Sequence, residues 1–350
     1  MSEQSTPPPP PVRTEPATGA ALLAEWRTPI LLLVLTALST LTTGALQHGV
    51  EVGGIGELFA LPFTRPLDLL RGWDFALPLM AILFAHEMGH YIAARLHRID
   101  VSPPYFIPMP LTLFGTMGAV IRMRGRIESR RALLDVGAAG PLAGMVVALP
   151  VLVYGIATSP VTPLPAAGTF IMEGRSVLYL AILYALKGPI PAGHDVFLTP
   201  TAFAGWAGLL VTMINLLPIG QLDGGHVAYA LLGRRQNALA RRLWSVLPLL
   251  AIGVGAWFTT EAWLAGVRGA ALFVPMQAGI HWLVWFGLLA LLGLAATRGE
   301  PRLSRGQRVL LGLHHPPAEG QSLDPTRRAI AIGTLALFVL LFMPSWVREG

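Results

Sequence analysis

Long apolar runs separated by short polar segments dominate the chain. Runs of this length are typical of bilayer-spanning helices, because about 20 apolar residues cross roughly 30 Å of hydrocarbon. We therefore expect an all-α polytopic membrane protein with about seven transmembrane helices. They are predicted at 29–47, 75–96, 133–157, 201–217, 243–259, 279–297 and 328–345. The shorter run 176–187 is open to three interpretations: an interfacial helix, a re-entrant helix or an eighth partial span.

The segment 101–131 breaks the helical pattern. It contains four prolines, which disfavour a regular helix, and Gly115 and Gly118 mark a turn or a close backbone approach. Apolar Ile121 and Met123 then alternate with arginines, which is the period of a strand. We expect a short re-entrant β-hairpin after the second transmembrane helix, with its arginines at the lipid headgroups.

The composition agrees with a membrane protein, since 53 % of the residues are hydrophobic and only 13 % are charged. A typical globular protein carries about 25 % charged residues. Cysteine is absent, so disulfides and thiolate metal sites are excluded, and a metal would need imidazole and carboxylate ligands.

The net charge of +6 is better explained by topology than by nucleic-acid binding, because the basic residues border the apolar runs. A cytoplasmic N-terminus places nineteen of the 25 Lys and Arg residues on the cytoplasmic side. We therefore expect the bilayer as a partner and no nucleic acid. Residues 1–25 are predicted to be a disordered cytoplasmic tail, and 26–350 a single transmembrane domain.

The motif His86-Glu87-Met88-Gly89-His90 lies inside the second apolar run. Histidines four residues apart on a helix share a face and can hold one Zn²⁺, and Glu87 can take a proton from a water that the metal activates. The alternative is a pair of structural histidines. Three ionisable groups within five residues are costly in a bilayer, and this cost favours the metal.

A catalytic zinc needs a third protein ligand, for which Asp223 is the best candidate. Asp135, near Arg130 and Arg131 at a helix start, and Asp74, a candidate N-cap, both have structural explanations. Asp223 has none, and two glycines follow it. His90 precedes Arg95 by five residues, so the motif lies about 8–14 Å from the cytoplasmic border. Pro218 is expected to interrupt the helix beside the site.

These residues resemble the site-2 protease family of intramembrane zinc metalloproteases. That family pairs His-Glu-x-x-His with Asn-x-x-Pro-x-x-x-Leu-Asp-Gly, and both motifs are complete here, at 86–90 and 215–224. The resemblance covers roughly residues 75–235, and it implies a single transmembrane peptidase domain at 26–350 with its catalytic core at about 75–235. His315-Pro316-Pro317 also looks similar to bacterial members, and no segment is long enough for the PDZ or CBS domain that many members carry.

The resemblance implies a role for each residue. His86, His90 and Asp223 would bind Zn²⁺, and Glu87 would be the general base and then the proton donor. Asn215 would steady the substrate backbone or the oxyanion. The strand from Gly115 through Gly118 to Arg124 would pair with an unwound substrate segment, and Pro218 would also contribute to the substrate site. We accordingly expect transmembrane protein or peptide substrates and a bacterial plasma membrane as the location.

Two other functions stay open. A divalent-metal transporter would hold its ion at mid-membrane, but such proteins are expected to show repeat symmetry and acids along a path. An inactive relative would act as a binding or scaffold protein, against which the complete ligand set and the intact Glu87 argue.

Overall fold

The computed structural model describes residues 19–124, 127, 129–165, 171–298, 304–313 and 322–349. The long helices are α1 (Gly19–Gln47), α4 (Trp73–Leu96), α5 (Arg130–Thr158), α7 (Pro200–Asn215), α9 (Arg235–Leu264), α11 (Ile280–Ala296) and α13 (Pro325–Leu341). The shorter helices are α2 (Ile55–Thr64), α3 (Pro66–Leu69), α6 (Val177–Lys187), α8 (Asp223–Leu232), α10 (Phe273–Met276) and α12 (Arg305–Gly312). The strands are β1 (Tyr105–Pro108), β2 (Thr116–Val120), β3 (Val161–Pro163), β4 (Ile171–Glu173), β5 (His194–Val196) and β6 (Val347–Glu349).

Four helical segments of the described residues are long and apolar enough to cross a membrane, which agrees with a membrane protein. They are Glu25–Gln47, Arg130–Thr158, Arg235–Leu264 and Gly269–Ala296. The other expected spans fall on α4, α7 and α13, and the last two have only 16 and 17 residues. The number of seven spans therefore stays a prediction. The run at 176–187 forms the 11-residue helix α6.

Side chains at the helix starts explain several boundaries. The Ser176 hydroxyl accepts a hydrogen bond from the Tyr179 backbone N–H and begins α6. Thr199 and Asp324 do the same for α7 and α13, and each is followed by a proline, which fits the first helical turn.

The chain after α4 forms an antiparallel pair of strands, β1 and β2. Tyr105 lies opposite Val120 and Phe106 opposite Ala119, and a separate bridge joins Val101 to Met123. The β1 strand packs against α1, and β2 contacts α4.

The described residues are mostly helical, as expected, and two further small sheets that the sequence did not predict are present. β3 pairs with β5, and β4 pairs with β6 at the end of the described chain. Each of these strands has three residues. Such a strand is too short for an alternating pattern to reveal, and it pairs with a partner distant in sequence.

The core is arranged around α5, which packs against α4, α7 and α8. The largest fully buried side chains include Trp206, Trp282, Tyr179 and Phe75. Farther along the chain, α9 and α12 pack against α11, and α9 also contacts α8. The centre of the molecule is thus formed by the helices that carry the two sequence motifs.

Candidate metal centre

Helix α4 carries His86, Glu87 and His90, and all three side chains are buried. The spacing of four residues brings the two imidazole rings together on one helix face, with centroids 4.9 Å apart and planes at 73°. Their Nε2 atoms are 3.2 Å apart. Two potential metal ligands therefore converge in the apolar interior.

Asp223 completes the group from a different part of the chain. It is the first residue of α8, and its Oδ2 atom lies 3.3 Å from Nε2 of His86 and 3.2 Å from Nε2 of His90. Within the described residues, His86, His90 and Asp223 form a group that could hold a metal ion. We call it the His–His–Asp group.

The distances in this group fit a tetrahedral ion. Bonds of about 2.0–2.1 Å at tetrahedral angles place neighbouring ligand atoms roughly 3.3 Å apart. The three edges of the triangle measure 3.2, 3.2 and 3.3 Å. Three of four coordination positions are thereby accounted for, which is the protein contribution expected at a catalytic zinc.

The hydrogen bond at the far side of His90 supports the same assignment. Its Nδ1 donates to the backbone carbonyl of Val136 at 2.8 Å, so a neutral His90 carries its proton on Nδ1. The lone pair on Nε2 then faces the carboxylate of Asp223. Two lone pairs facing each other repel unless a cation lies between them, and orientation by a backbone carbonyl is typical of metal-bound histidine.

Glycines of α5 make room for the two rings. A Cβ atom on Gly140 would collide with the His90 ring, and one on Gly144 would lie 3.3 Å from Cβ and Nδ1 of His86. The Gly140-x-x-x-Gly144 spacing is a sequence signal for close helix packing. Sequence analysis alone did not assign these glycines to the site, because the spacing does not reveal what packs against them.

Close backbone packing holds the start of α8. A Cβ on Gly224 would collide with the Leu216 carbonyl oxygen, and one on Gly225 with that of Gly220. At the other end of α8, the Arg130 guanidinium donates to the carbonyls of Ala230 and Leu231. Fixing both ends of this short helix fixes the position of Asp223.

Asn215 and Pro218 lie beside the group. Asn215 is the last residue of α7, and its Nδ2 atom is 3.3 Å from Nε2 of His86. Pro218 lies in the non-helical link between α7 and α8, where its carbonyl accepts a hydrogen bond from Gln236 at 3.2 Å. The helix break expected at Pro218 is present.

Gly115 and Gly118 both adopt positive φ angles, of 71° and 92°. Gly115 packs on α1, where its carbonyl accepts a hydrogen bond from Ser39 at 2.5 Å. A Cβ on Gly118 would meet nothing within 4 Å. The residue after β2, Ile121, interacts through its backbone with the Glu87 carboxylate. The strand thus ends beside the glutamate of the motif.

Asp135 and Asp74, the two carboxylates not chosen as the third zinc ligand, have structural partners, although not the expected ones. Asp135 binds His97 Nε2 at 2.8 Å and Arg327 at 2.7 Å, rather than acting only at a helix start. Asp74 is not an N-cap, since Gly72 occupies that position, and it pairs with His48 at 2.9 Å instead. The segment 315–317 lies outside the described residues.

Residues 74–252, about half of the chain, match the sequence profile of peptidase family M50. A rice protein named "Probable zinc metalloprotease EGY2, chloroplastic" is 34 % identical over 204 residues, which cover 56 % of this chain and 35 % of that protein. The Arabidopsis thaliana "Probable zinc metalloprotease EGY1, chloroplastic" is 32 % identical over 247 residues, covering 63 % and 43 %. This chain thus spans about a third of the length of its first curated relatives. No solved structure matches it significantly.

Proposed function

We propose, from the premise that the chain belongs to peptidase family M50, that it is a zinc metalloprotease that cleaves membrane proteins in or near their transmembrane segments. The observation that carries the proposal is the His–His–Asp group beside Glu87, buried among apolar helices. Helix α5, which packs against the ligand-bearing helices, is long and apolar enough to cross a membrane. The relatives named zinc metalloprotease support the choice of metal and of reaction class.

His86, His90 and Asp223 would hold the ion. When bound there, Zn²⁺ would lower the pKa of a neighbouring water towards about 7 and polarise the scissile carbonyl. Glu87 would take a proton from the attacking water on a carboxylate oxygen and later give it to the leaving amine nitrogen. The buried position of Glu87 keeps bulk water from competing for this proton.

The substrate backbone would be held by the strand that ends at Ile121. The β1 strand is covered by α1, so the β1–β2 pair offers its second edge, on β2, to another extended segment. The Arg122 carbonyl accepts from the Ser102 N–H at 3.0 Å, so Arg122 faces the β1 side and its neighbour Ile121 faces away. A peptide added at that edge would run past Glu87. Asn215, beside His86, would donate to the substrate carbonyl.

A helical substrate must unwind before it can pair in this way, because its backbone groups are otherwise bonded within the helix. Gly118 leaves space next to the pairing edge, and Gly115 holds the hairpin against α1. We therefore propose that helix-weakening residues near the cleavage site promote cleavage.

The number of membrane spans and their orientation are also part of this proposal. It comprises about seven spans in one peptidase domain at 26–350, a cytoplasmic N-terminus and a β1–β2 pair that enters the membrane from the cytoplasmic side. The charge distribution along the sequence supports it. A bacterial plasma membrane stays our expectation for the location, although the plant relatives described above are named chloroplastic.

The test uses purified protein in lipid vesicles with a single-span model substrate. Cleavage that stops with a zinc chelator and returns with added Zn²⁺ supports the proposal. A matched substrate with a stabilised helix around the cleavage site should be cut more slowly.

The two competing functions give different results in the same vesicles. Uptake of Zn²⁺ without cleavage would favour a transporter. Zinc binding with neither uptake nor cleavage, tested with several substrates, would favour a scaffold.

A further inference from the structure

Helices α2 and α3 carry a row of large apolar side chains that no described part of the protein covers. Ile55, Phe59 and Phe63 follow one another at intervals of four residues, so they share one face of α2. Phe63 and Leu67 are 82 % and 79 % exposed. Exposed apolar surface of this extent marks an interaction site.

The opposite face of this segment is fixed to the protein. Leu61 and Leu69 are buried and form one apolar cluster with Ala45 of α1 and with Val50, which follows α1, and Leu58 is buried as well. The segment is therefore docked in one orientation, and the exposed row cannot turn inward without exposing this cluster.

Charged side chains form a separate edge of the same segment. Arg65 binds Glu57 at 3.0 Å, and Asp68 lies 4.0 Å from Arg65 and 3.5 Å from Arg71. A short helical segment with an apolar face beside a charged edge is typical of helices that lie in the plane of a membrane surface.

The exposed row continues onto α4 without a gap. A single 3₁₀ turn, Leu70–Gly72, joins α3 to α4, and exposed Trp73 and Leu77 extend the row along α4. Because α4 runs through the apolar centre of a membrane protein, its exposed side chains face lipid. Trp73 also has the position of a tryptophan at a membrane–water boundary.

We propose that residues 55–71, which we call the interfacial segment, lie flat at the bilayer surface, with Phe59, Phe63 and Leu67 in the lipid at the headgroup–acyl boundary. The inference is independent of the proposed function. It assigns lipid as the partner of the exposed row, because the row is continuous with the lipid-facing surface of α4.

The interfacial segment sets the depth of the metal centre. His86 follows Trp73 by 13 residues, which is about 20 Å along a helix. A hydrocarbon core of roughly 30 Å then leaves about 10 Å to the opposite surface. That value agrees with the roughly 8–14 Å obtained from the distance between His90 and Arg95. The interfacial segment at one bilayer surface thereby places the metal ligands nearer the opposite surface.

The absence of cysteine in the sequence allows a clean test by single-cysteine labelling. Phe59→Cys and Phe63→Cys place an environment-sensitive fluorophore on the exposed row. Glu57→Cys and Asp68→Cys are the matched positions on the charged edge. Each variant is reconstituted into phosphatidylcholine–phosphatidylglycerol vesicles and exposed to iodide or to lipids carrying a nitroxide at a shallow or a deep position. Leu61→Cys, which is buried, should stay unlabelled and reports an intact fold.

We expect shallow lipid nitroxides to quench the labels at 59 and 63 more than those at 57 and 68, with iodide giving the reverse order. Labels on two further variants, Trp73→Cys and Leu77→Cys, should differ in depth by about 6 Å. Iodide quenching of 59 and 63 equal to that of 57 and 68 would place the row in water and overturn the proposal. So would strongest quenching by the deep nitroxide. Protection from both quenchers, together with disulfide crosslinking between two copies of the Phe59→Cys variant, would identify a second chain as the partner instead.

Discussion

Helices α5 and α9 have similar lengths but are buried to different extents. In the most apolar 18-residue stretch of each helix, 50 % of the residues of α5 are buried, but only 22 % of those of α9. The segment that contains α11 resembles α9, with 28 % buried. The first helix packs against the ligand-bearing helices, and the other two flank them. The comparison separates positions where the fold requires a certain shape from positions where it requires only apolar character.

Glycine illustrates the difference. Gly140 in α5 lies against the His90 ring, and Gly155 lies against the backbone of Ala202 in α7. Gly253 in α9 and Gly287 in α11 would accept a Cβ with nothing within 4 Å. Glycine is thus a packing requirement at positions 140 and 155 and is replaceable at positions 253 and 287, whereas Gly255 of α9 and Gly293 of α11 are also closely packed.

The largest effect is expected from Glu87→Gln, compared with Glu261→Gln in the exposed part of α9. Loss of a general base typically costs 10²–10⁴-fold in rate, so cleavage should fall at least about 100-fold in the first variant. The second should cleave at the wild-type rate. Initial rates in vesicles measure the difference, and elemental analysis should find zinc in both proteins. Retained turnover in Glu87→Gln would remove Glu87 from the mechanism.

Asp223→Asn should have the largest effect on metal binding. Loss of a residue that only orients a metal-binding side chain costs about 10–100-fold in metal affinity. Loss of the charge on a metal-binding side chain itself should therefore cost more. Asp135→Asn is the control, because Asp135 binds His97 and Arg327 and not the His–His–Asp group. Zinc titration against a chelator measures both. Equal affinities in the two variants would mean that Asp223 is not the third ligand.

Gly140→Ala tests the central packing directly. The added methyl group would force the His90 ring to move, and overpacking of this kind costs about 1–3 kcal/mol. We expect weaker zinc binding and a lower melting temperature in detergent. Gly253→Ala adds the same group to an open site and should be neutral, or up to about 1 kcal/mol more stable. If both variants behaved alike, the contrast between α5 and α9 would lose its basis.

The smallest effect is expected near β4, which pairs with β6. The β6 strand also contacts α9, because the Arg348 guanidinium lies 4.5 Å from the Phe258 ring. Burial raises the pKa of the Glu173 carboxyl in β4, although its bond from the Tyr179 hydroxyl and nearby Arg175 act in the opposite direction. The folded state therefore binds this proton more tightly than the unfolded state. Its contribution to stability is complete below a pH of 4.5, the ordinary pKa of the group, and is lost as the pH rises through the raised value.

Glu173→Gln removes this titration. Relative to wild type, the melting temperature of the variant should rise between acidic and neutral pH, by an amount on the order of 2–4 °C. Thermal unfolding at a series of pH values measures the change. Parallel curves for Glu173→Gln and wild type would show that Glu173 titrates normally.

The sequence predicted the family correctly, because its signal lies in short motifs whose chemistry is written in consecutive side chains. The membrane character followed from the apolar runs. The expected third ligand, Asp223, also lies next to His86 and His90 in space. In each case a local pattern was sufficient, since the burial cost of ionisable groups leaves few explanations for them in an apolar run.

Features that depend on distant contacts could not be predicted in the same way. The pairing of β4 with β6 joins residues more than 170 positions apart through three-residue strands. Asp135 was expected to act at a helix start near Arg130 and Arg131, but its arginine partner is Arg327, from the far end of the chain. Such partners are chosen by the packing of whole helices, which no local period encodes.

The hydrogen bond from His90 to Val136 has a consequence for mutational tolerance. The acceptor is a main-chain oxygen, so alanine, isoleucine or leucine at position 136 would still supply it. The space for the imidazole depends instead on a missing side chain at position 140. A saturation screen of α5 should therefore find position 136, which is fully buried, limited by side-chain size and polarity and not by the hydrogen bond, whereas position 140 should tolerate no side chain.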